Sequence, residues 1–147
     1  MPPLGARNPA VQQLRRLARR RSSRLASGAF VVDGPVLVAE ALDAGVEITE
    51  AFVDVDAHGD DRLAAVVARL RAGAVPVRDL APGVLASAAD TVTPHGITAV
   101  ARRPHPADLA HLADPADAPG APAPFVVLLA GVADPGNAGT LMRAAGA

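Results

Sequence analysis

The chain has 147 residues with a formal net charge of −1, and half of them are hydrophobic, which allows one ordinary domain or a small domain plus part of another. The absence of cysteine excludes disulfides, thiolate chemistry and cysteine-based zinc sites. No apolar run approaches about 18 residues, the length that suggests a membrane-spanning helix, and the basic N-terminus lacks the apolar stretch of a secretory signal. We therefore expect a soluble cytoplasmic protein.

The charge is distributed unevenly along the chain. Seven arginines precede the first acidic residue, Asp33; they are Arg7, Arg15, Arg16, Arg19, Arg20, Arg21 and Arg24. The N-terminal segment is therefore strongly basic, whereas the remainder is acidic. Such a split indicates a polyanionic partner that meets one end of the molecule, and the alternative is a solvated helix face without a partner.

The first predicted elements are a helix, a strand and a second helix. Asn8-Pro9 is typical of a helix start, since an asparagine N-cap precedes proline at the first helical position. This helix has an apolar face and a basic face, and we expect it to end near residues 22–23. Residues 29–32 predict a strand, and a helix begins at Pro35.

The next stretch continues the alternation of strand and helix. The predicted elements are a strand at 51–55, a helix from Asp60-Asp61 to Gly73, an edge strand at 75–77, a short helix at 82–88 and a strand at 97–101. This alternation predicts an α/β fold with a mostly parallel sheet and helices on both faces.

Composition divides the chain into two domains and a linker. Residues 1–103 predict one domain, and residues 104–124 are rich in proline and alanine, which is typical of a semi-rigid linker. Residues 125–147 predict the start of a second domain, with a short buried strand at 125–129, a Gly/Asp/Pro/Asn-rich loop and a helix from Thr140. Such a junction commonly carries chemistry in α/β proteins, because backbone N–H groups and a helix N-terminus converge there.

Several kinds of site are excluded because residues that they need are missing. Gly131 and Gly136 have the spacing of a phosphate-binding P-loop, but Asn137 stands where that loop has its lysine. Neither a G-x-G-x-x-G dinucleotide fingerprint nor a G-x-S-x-G hydrolase motif is present. We predict no metal site, since the spacing fits no familiar pattern in the one candidate set, His105, Asp108 and His111.

The terminal segment carries a more specific motif. Residues 134–143, Asp-Pro-Gly-Asn-Ala-Gly-Thr-Leu-Met-Arg, resemble the first motif of the SpoU (TrmH-type) RNA 2′-O-ribose methyltransferases of the SPOUT superfamily. Residues 24–34 look like that family's basic-x-x-x-G-x-F-x-x-E-G segment, with Asp33 in place of glutamate. Residues 95–101 look like its domain-closing strand. The resemblance covers nearly the whole chain apart from the linker.

The resemblance implies a fold, a cofactor and an assembly. Residues 1–103 would form a substrate-binding domain, a three-layer α/β/α sandwich similar to ribosomal proteins that bind RNA. Residues 125–147 would open a trefoil-knotted SPOUT domain that uses S-adenosylmethionine and works as a homodimer. The family's cofactor-binding motifs would lie beyond Ala147. This chain is therefore expected to lack the cofactor pocket and to be inactive alone.

The same resemblance assigns roles in the terminal segment. Arg143 matches the family's catalytic arginine and Asn137 its active-site asparagine, while Asp134, Gly136 and Gly139 belong to the active-site loop. A guanidinium is a poor general base because its pKa lies above about 12. We therefore expect Arg143 to position the RNA backbone and to stabilise the developing oxyanion. Asn137 would orient Arg143 or the ribose.

The basic first helix is predicted to bind RNA through Arg16, Arg20, Arg21 and Arg24, because arginine makes forked contacts with phosphates. The leading hypothesis is an RNA 2′-O-methyltransferase that acts on ribosomal RNA, with transfer RNA as the alternative substrate. A second hypothesis is a non-catalytic RNA-binding module. A third is a small-molecule-binding α/β domain, which the basic first helix disfavours.

Overall fold

The structure is a computed structural model that describes residues 2–57, 59–89, 95–104 and 126–146. The chain divides into two compact units, unit 1 (Met1–His105) and unit 2 (Pro106–Ala147). The predicted linker beyond Pro104, Phe125 and the set His105, Asp108 and His111 lie outside the described residues.

Unit 1 contains five helices and four strands within its described residues. They are α1 (Pro9–Arg19), α2 (Arg21–Ser27), β1 (Ala29–Asp33), α3 (Pro35–Asp43), β2 (Ile48–Asp54), α4 (Asp61–Ala72), β3 (Val77–Leu80), α5 (Val84–Ala89) and β4 (Ile97–Arg102), with a short 3-10 turn at Val55–Ala57. The predicted α/β class is confirmed. The edge strand forms at Val77–Leu80, slightly after its predicted place at 75–77.

The four strands form one sheet in the order β1-β4-β2-β3. β2 and β3 pair parallel, whereas β4 runs antiparallel to both of its neighbours, β1 and β2. The prediction of a mostly parallel sheet is therefore wrong. β1, β2 and β3 do run in one direction, but β4 returns between β1 and β2 in the opposite direction. Its first five residues are all buried, as expected for a central strand covered on both faces.

Each face of the sheet carries its own apolar core. On one face, α3 and α4 pack through Val38, Leu63 and Leu70 against inward side chains such as Val53. On the other face, α1 and α5 pack against the sheet; the buried residues there include Val11, Leu14, Leu17, Phe52, Leu85 and Val100. Neighbouring residues of β2 alternate between the two cores, since successive side chains of a strand point to opposite faces.

The N-terminal basic segment forms two helices instead of one. The predicted single helix ending near residues 22–23 is wrong, because α1 ends at Arg19 and α2 begins at Arg21. Between them, Arg20 has an extended backbone with φ −117° and ψ 112°. The start of α1 is as predicted: Asn8 is the N-cap, and its side-chain oxygen accepts a hydrogen bond from the Ala10 N–H at 2.9 Å.

In unit 2, the described residues contain one helix, α6 (Pro135–Ala145). It begins five residues before Thr140, so most of the segment predicted as a loop is helical. Residues 126–130 form no strand. An extended segment needs a neighbouring strand to pair its backbone groups, and the described part of unit 2 offers none.

Candidate nucleic-acid interface and active-site helix

The basic face of α1 forms a shallow depression in unit 1. Burial of Val11, Leu14 and Leu17 fixes the rotation of α1 against the sheet and turns its arginines away from the core. The depression has a volume of about 290 Å³ and is lined by Gln12, Arg15, Arg16, Arg19 and Arg20. The predicted RNA contacts Arg16 and Arg20 are thus brought together, alongside Arg15 and Arg19.

Two of these guanidinium groups contact uncharged acceptors. Arg16 donates from Nε and Nη2 to Gln13 Oε1 at 3.1 and 2.9 Å, and Arg15 donates from Nη2 to Ser87 Oγ at 3.1 Å. Among the described residues, neither makes an ion pair with a carboxylate. Their charge therefore remains available to an anion.

Several arginines elsewhere in unit 1, unlike Arg15 and Arg16, form ion pairs with carboxylates. Three of them pair with carboxylates, in the pairs Arg69–Asp43 at 2.6 Å, Arg78–Glu50 at 3.2 Å and Arg102–Glu47 at 2.9 Å. Their charges are balanced within the protein, and the exposed pairs Arg69–Asp43 and Arg102–Glu47 contribute little to stability. The contrast with Arg15 and Arg16 makes the α1 surface the better candidate for binding a polyanion.

Arg24 is directed towards α1. Its Nη1 atom donates to the carbonyl oxygens of Leu17 and Ala18, at 2.8 and 3.0 Å, and so satisfies acceptors in the last turn of that helix. Its RNA contact stays a prediction, as does that of Arg21, which is exposed at the first position of α2.

Arg24→Ala is expected to lower the free energy of unfolding by about 1–3 kcal/mol, because two helix-end carbonyls lose a charged donor. Chemical denaturation followed by circular dichroism measures this change. Arg21→Ala removes the same charge from an exposed neighbouring position and serves as the control, with an expected change within about 0.5 kcal/mol. Equal losses in the two variants would contradict the capping role.

The start of α6 is built by Asp134, Pro135 and Gly136. Asp134 is the N-cap, and its Oδ1 atom accepts a hydrogen bond from the Asn137 N–H at 2.7 Å. Pro135 occupies the first helical position, where its missing N–H costs nothing. A Cβ atom on Gly136 would lie 3.1 Å from Asp134 Oδ1, so a side chain there would crowd the cap. The predicted loop residues Asp134 and Gly136 thus shape the helix N-terminus.

Arg143 folds back along α6 towards its N-terminus. Its Nη2 atom donates to Thr140 Oγ1 at 3.2 Å, and the Thr140 hydroxyl donates to the carbonyl oxygen of Gly136 at 3.0 Å. Gly139 leaves room for this arrangement, since a Cβ atom there would lie 3.4 Å from Arg143 Nη1. The guanidinium therefore lies beside the middle of α6, at the level of Gly139 and Thr140, where its exposed charge can contact a phosphate or an oxyanion.

Asn137 lies on a different side of α6 from Arg143, since six residues correspond to about 120° around the helix after whole turns are removed. It lines a cavity of about 570 Å³ together with Asp134, Thr140 and Leu141. Within the described contacts, no hydrogen bond joins the Asn137 side chain to Arg143. Thr140 contacts Arg143 instead, a role that sequence reasoning missed although the i, i+3 spacing could have indicated it.

Neither a metal site nor a membrane span is found in the described ranges. No cluster of three or more His, Asp or Glu side chains there could hold a metal ion. No described helix has the length and apolarity needed to cross a bilayer.

Residues 8–99 match the family of MRM3-like substrate binding domains, and the chain therefore belongs to this family. The match runs from the N-cap of α1 into β4. It includes all the predicted RNA contacts and the basic depression of α1. The comparison with curated protein sequences gave no match.

Solved structures of RNA methyltransferases resemble the chain. A crystal structure of an RNA 2′-O ribose methyltransferase aligns with a TM-score of 0.60 and 27% identity, over 70% of this chain and 38% of that chain. An RNA methyltransferase of the TrmH family from Porphyromonas gingivalis aligns with a TM-score of 0.57 and 29% identity, over 92% of this chain and 46% of that chain. The predicted relationship to the SpoU/TrmH methyltransferases is confirmed.

A more distant structure shares the fold. The SpoU methyltransferase AviRb from Streptomyces viridochromogenes, solved in complex with AdoMet, aligns with a TM-score of 0.58 and 21% identity, over 73% of this chain and 37% of that chain. The chain thus spans less than half the length of each of these structures.

Proposed function

We propose that the chain is the substrate-binding part and first catalytic segment of an RNA 2′-O-ribose methyltransferase that acts on ribosomal RNA in the cytoplasm as a homodimer. The arginine-lined depression of α1 carries this proposal, because it lies in a substrate-binding domain of this class and its charges at Arg15 and Arg16 have no described carboxylate partner. The aligned RNA methyltransferase structures support the reaction class.

The RNA is bound through its phosphates rather than by base stacking. The chain has three aromatic residues, all phenylalanine. Phe52 is fully buried in the core, and Phe30 lies in β1, partly buried against the core. The described surface therefore offers arginine forks and no exposed phenylalanine on which a base could stack. Folded or double-helical RNA, which proteins recognise largely through phosphates and 2′-hydroxyls, is the ligand that such a surface suits.

The catalytic segment supplies positioning and charge. S-adenosylmethionine, when bound, presents a methyl group on a sulfonium, which is reactive once it is placed in line with the ribose 2′-oxygen. Arg143 holds an RNA phosphate and stabilises negative charge as it develops on that oxygen. No described residue is assigned to the cofactor, whose binding residues are proposed to lie C-terminal to Ala147.

The double variant Arg16→Ala plus Arg20→Ala is expected to weaken RNA binding and to flatten its salt dependence. Each lost phosphate contact reduces the slope of log K against log[salt] by about 0.7–0.9, so the pair reduces it by roughly 1.5. Filter binding of a hairpin RNA at several salt concentrations measures both quantities. An unchanged slope would refute an RNA-binding role for these two residues.

A matched control tests whether the effect depends on the surface or only on net charge. Arg62 and Arg71 are exposed on α4, which packs on the face of the sheet opposite α1. Arg62→Ala plus Arg71→Ala removes the same charge and is expected to leave the slope within experimental error. Equal effects of the two double variants would show that general electrostatic attraction accounts for the binding.

The alternative of a non-catalytic RNA-binding module is distinguished by a second measurement. Unit 1 is compact by itself and contains the whole basic depression, so RNA binding alone does not require a catalytic domain. A protein that continues beyond Ala147 through a cofactor-binding region would transfer methyl groups to RNA if the proposal is right. RNA binding without any transfer by that protein would favour the module.

A further inference from the structure

Ser87 of α5 contacts two arginines of the α1 depression. Its Oγ atom accepts a hydrogen bond from Arg15 Nη2 at 3.1 Å, and its carbonyl oxygen accepts one from Arg19 Nη2 at 3.2 Å. The Ser87 hydroxyl itself donates to the carbonyl oxygen of Val84 at 2.9 Å. Because the hydroxyl proton is used within α5, the lone pairs of Oγ are directed to accept from Arg15.

α5 is anchored in the core and therefore holds Ser87 in a fixed position. Val84, Leu85 and Ala88 are buried in the core that α5 shares with α1. Ser87 lies between these anchors, with its own side chain at the surface. An arginine side chain that is free to rotate loses up to about 2 kcal/mol of conformational entropy when a ligand immobilises it. A side chain that is already held loses less, and its binding is correspondingly tighter.

We propose that Ser87 is a positioning residue of the RNA-binding surface. Its hydroxyl holds Arg15 so that the guanidinium is fixed before RNA arrives, and its carbonyl group contacts Arg19 in the same way. Arg15 and Arg19 lie four residues apart on α1, whereas Arg16 lies on the same helix and Arg20 follows it as the C-cap. All four arginines line the depression of α1, where we expect the phosphates of the RNA to bind. This inference rests on the proposed RNA-binding function.

Ser87→Ala in the full chain is expected to weaken binding of a hairpin RNA roughly three- to tenfold, the effect of releasing one ordered arginine side chain. The salt slope is expected to stay unchanged, because no charge is removed. Ser87→Thr keeps the hydroxyl and should restore the affinity. Ser27→Ala serves as the control, since the Ser27 hydroxyl bonds within α2 to the Ser23 carbonyl oxygen at 2.8 Å.

A double-mutant comparison separates positioning from a general structural effect. Ser87→Ala should have no further effect in an Arg15→Ala background, whereas it should keep its full effect in an Arg16→Ala background. Equal effects in both backgrounds, or wild-type affinity of Ser87→Ala, would overturn the inference. If Arg16→Ala plus Arg20→Ala also leaves affinity and salt slope unchanged, the proposed RNA-binding function fails as well. A reduced slope in that variant with a silent Ser87→Ala would remove only the role of Ser87.

Discussion

Gly96→Ala is expected to destabilise unit 1 by about 2–5 kcal/mol, combining a left-handed backbone penalty with overpacking. Gly96 is buried and has φ +79°, and a Cβ atom there would lie only 2.7 Å from the Cβ atom of Ala57. The segment cannot easily shift, because the Gly96 carbonyl oxygen accepts from the Asp54 N–H at 2.9 Å. Urea denaturation followed by circular dichroism measures the loss, which is large beside the typical stability of about 5–15 kcal/mol for a domain.

The control for this prediction is Gly45→Ala. Gly45 has φ +67°, but a Cβ atom there would meet nothing within 4 Å, so only the backbone penalty of about 1–2 kcal/mol applies. The clash can also be tested directly, since Ala57→Gly removes the opposing methyl group and should partly rescue Gly96→Ala. If the two alanine variants lose equal stability and no rescue occurs, the close approach to Ala57 is not what requires glycine.

The packing of Gly96 against Ala57 explains the structural role of the motif at residues 95–101. Residues 95–101 were part of the resemblance to the methyltransferase family. From the sequence alone, the glycine of this motif could be required either at a functional site or for folding. The close approach to Ala57 and the positive φ provide a structural reason for Gly96. The strand that follows is buried at its first five residues and pairs with both β1 and β2. The motif therefore specifies how the sheet is completed.

The rule that an N-cap residue followed by proline starts a helix predicted the start of α1. The same rule also fits the start of α6, although that helix was predicted to begin later. Asn8-Pro9 marks the start of α1, and Asp134-Pro135 marks the start of α6 by the same N-cap and proline rule. The glycines at 136 and 139 suggested a loop instead, since each costs a helix about 1 kcal/mol relative to alanine. In the structure, the capped helix includes both glycines, and their missing side chains leave room around Asp134 and Arg143.

Features that depend on distant residues could not be predicted from the sequence. The direction of β4 is set by its pairing with β1 and β2 across long stretches of chain, and strand–helix alternation carries no information about that reversal. The break at Arg20 contains neither proline nor glycine. It lies where Arg24 reaches back to α1, a contact formed only after the chain folds.

Contacts between residues that are distant in sequence also limited the prediction of the candidate sites. The count of N-terminal arginines predicted a basic surface, because charge needs no knowledge of contacts. The partners of individual arginines were not predictable: Arg15 meets Ser87, which is 72 residues away in sequence. The local sequence motif predicted Arg143 as a functional residue. The i, i+3 spacing allows Thr140 to contact it, but the side-chain conformations decide whether that hydrogen bond forms.

In a protein that continues through a cofactor-binding region, Arg143→Ala is expected to lower the rate of methyl transfer about 10²–10³-fold, the usual effect of removing a donor that stabilises developing negative charge. Single-turnover transfer of a labelled methyl group to RNA measures the rate, and equilibrium binding of S-adenosylmethionine should stay nearly unchanged. Thr140→Ala, which leaves the charge but removes its hydrogen-bond partner, should cause a smaller loss. Loss of cofactor binding in Arg143→Ala, or a greater defect in Thr140→Ala, would mean that this helix contributes through its structure and not through the charge of Arg143.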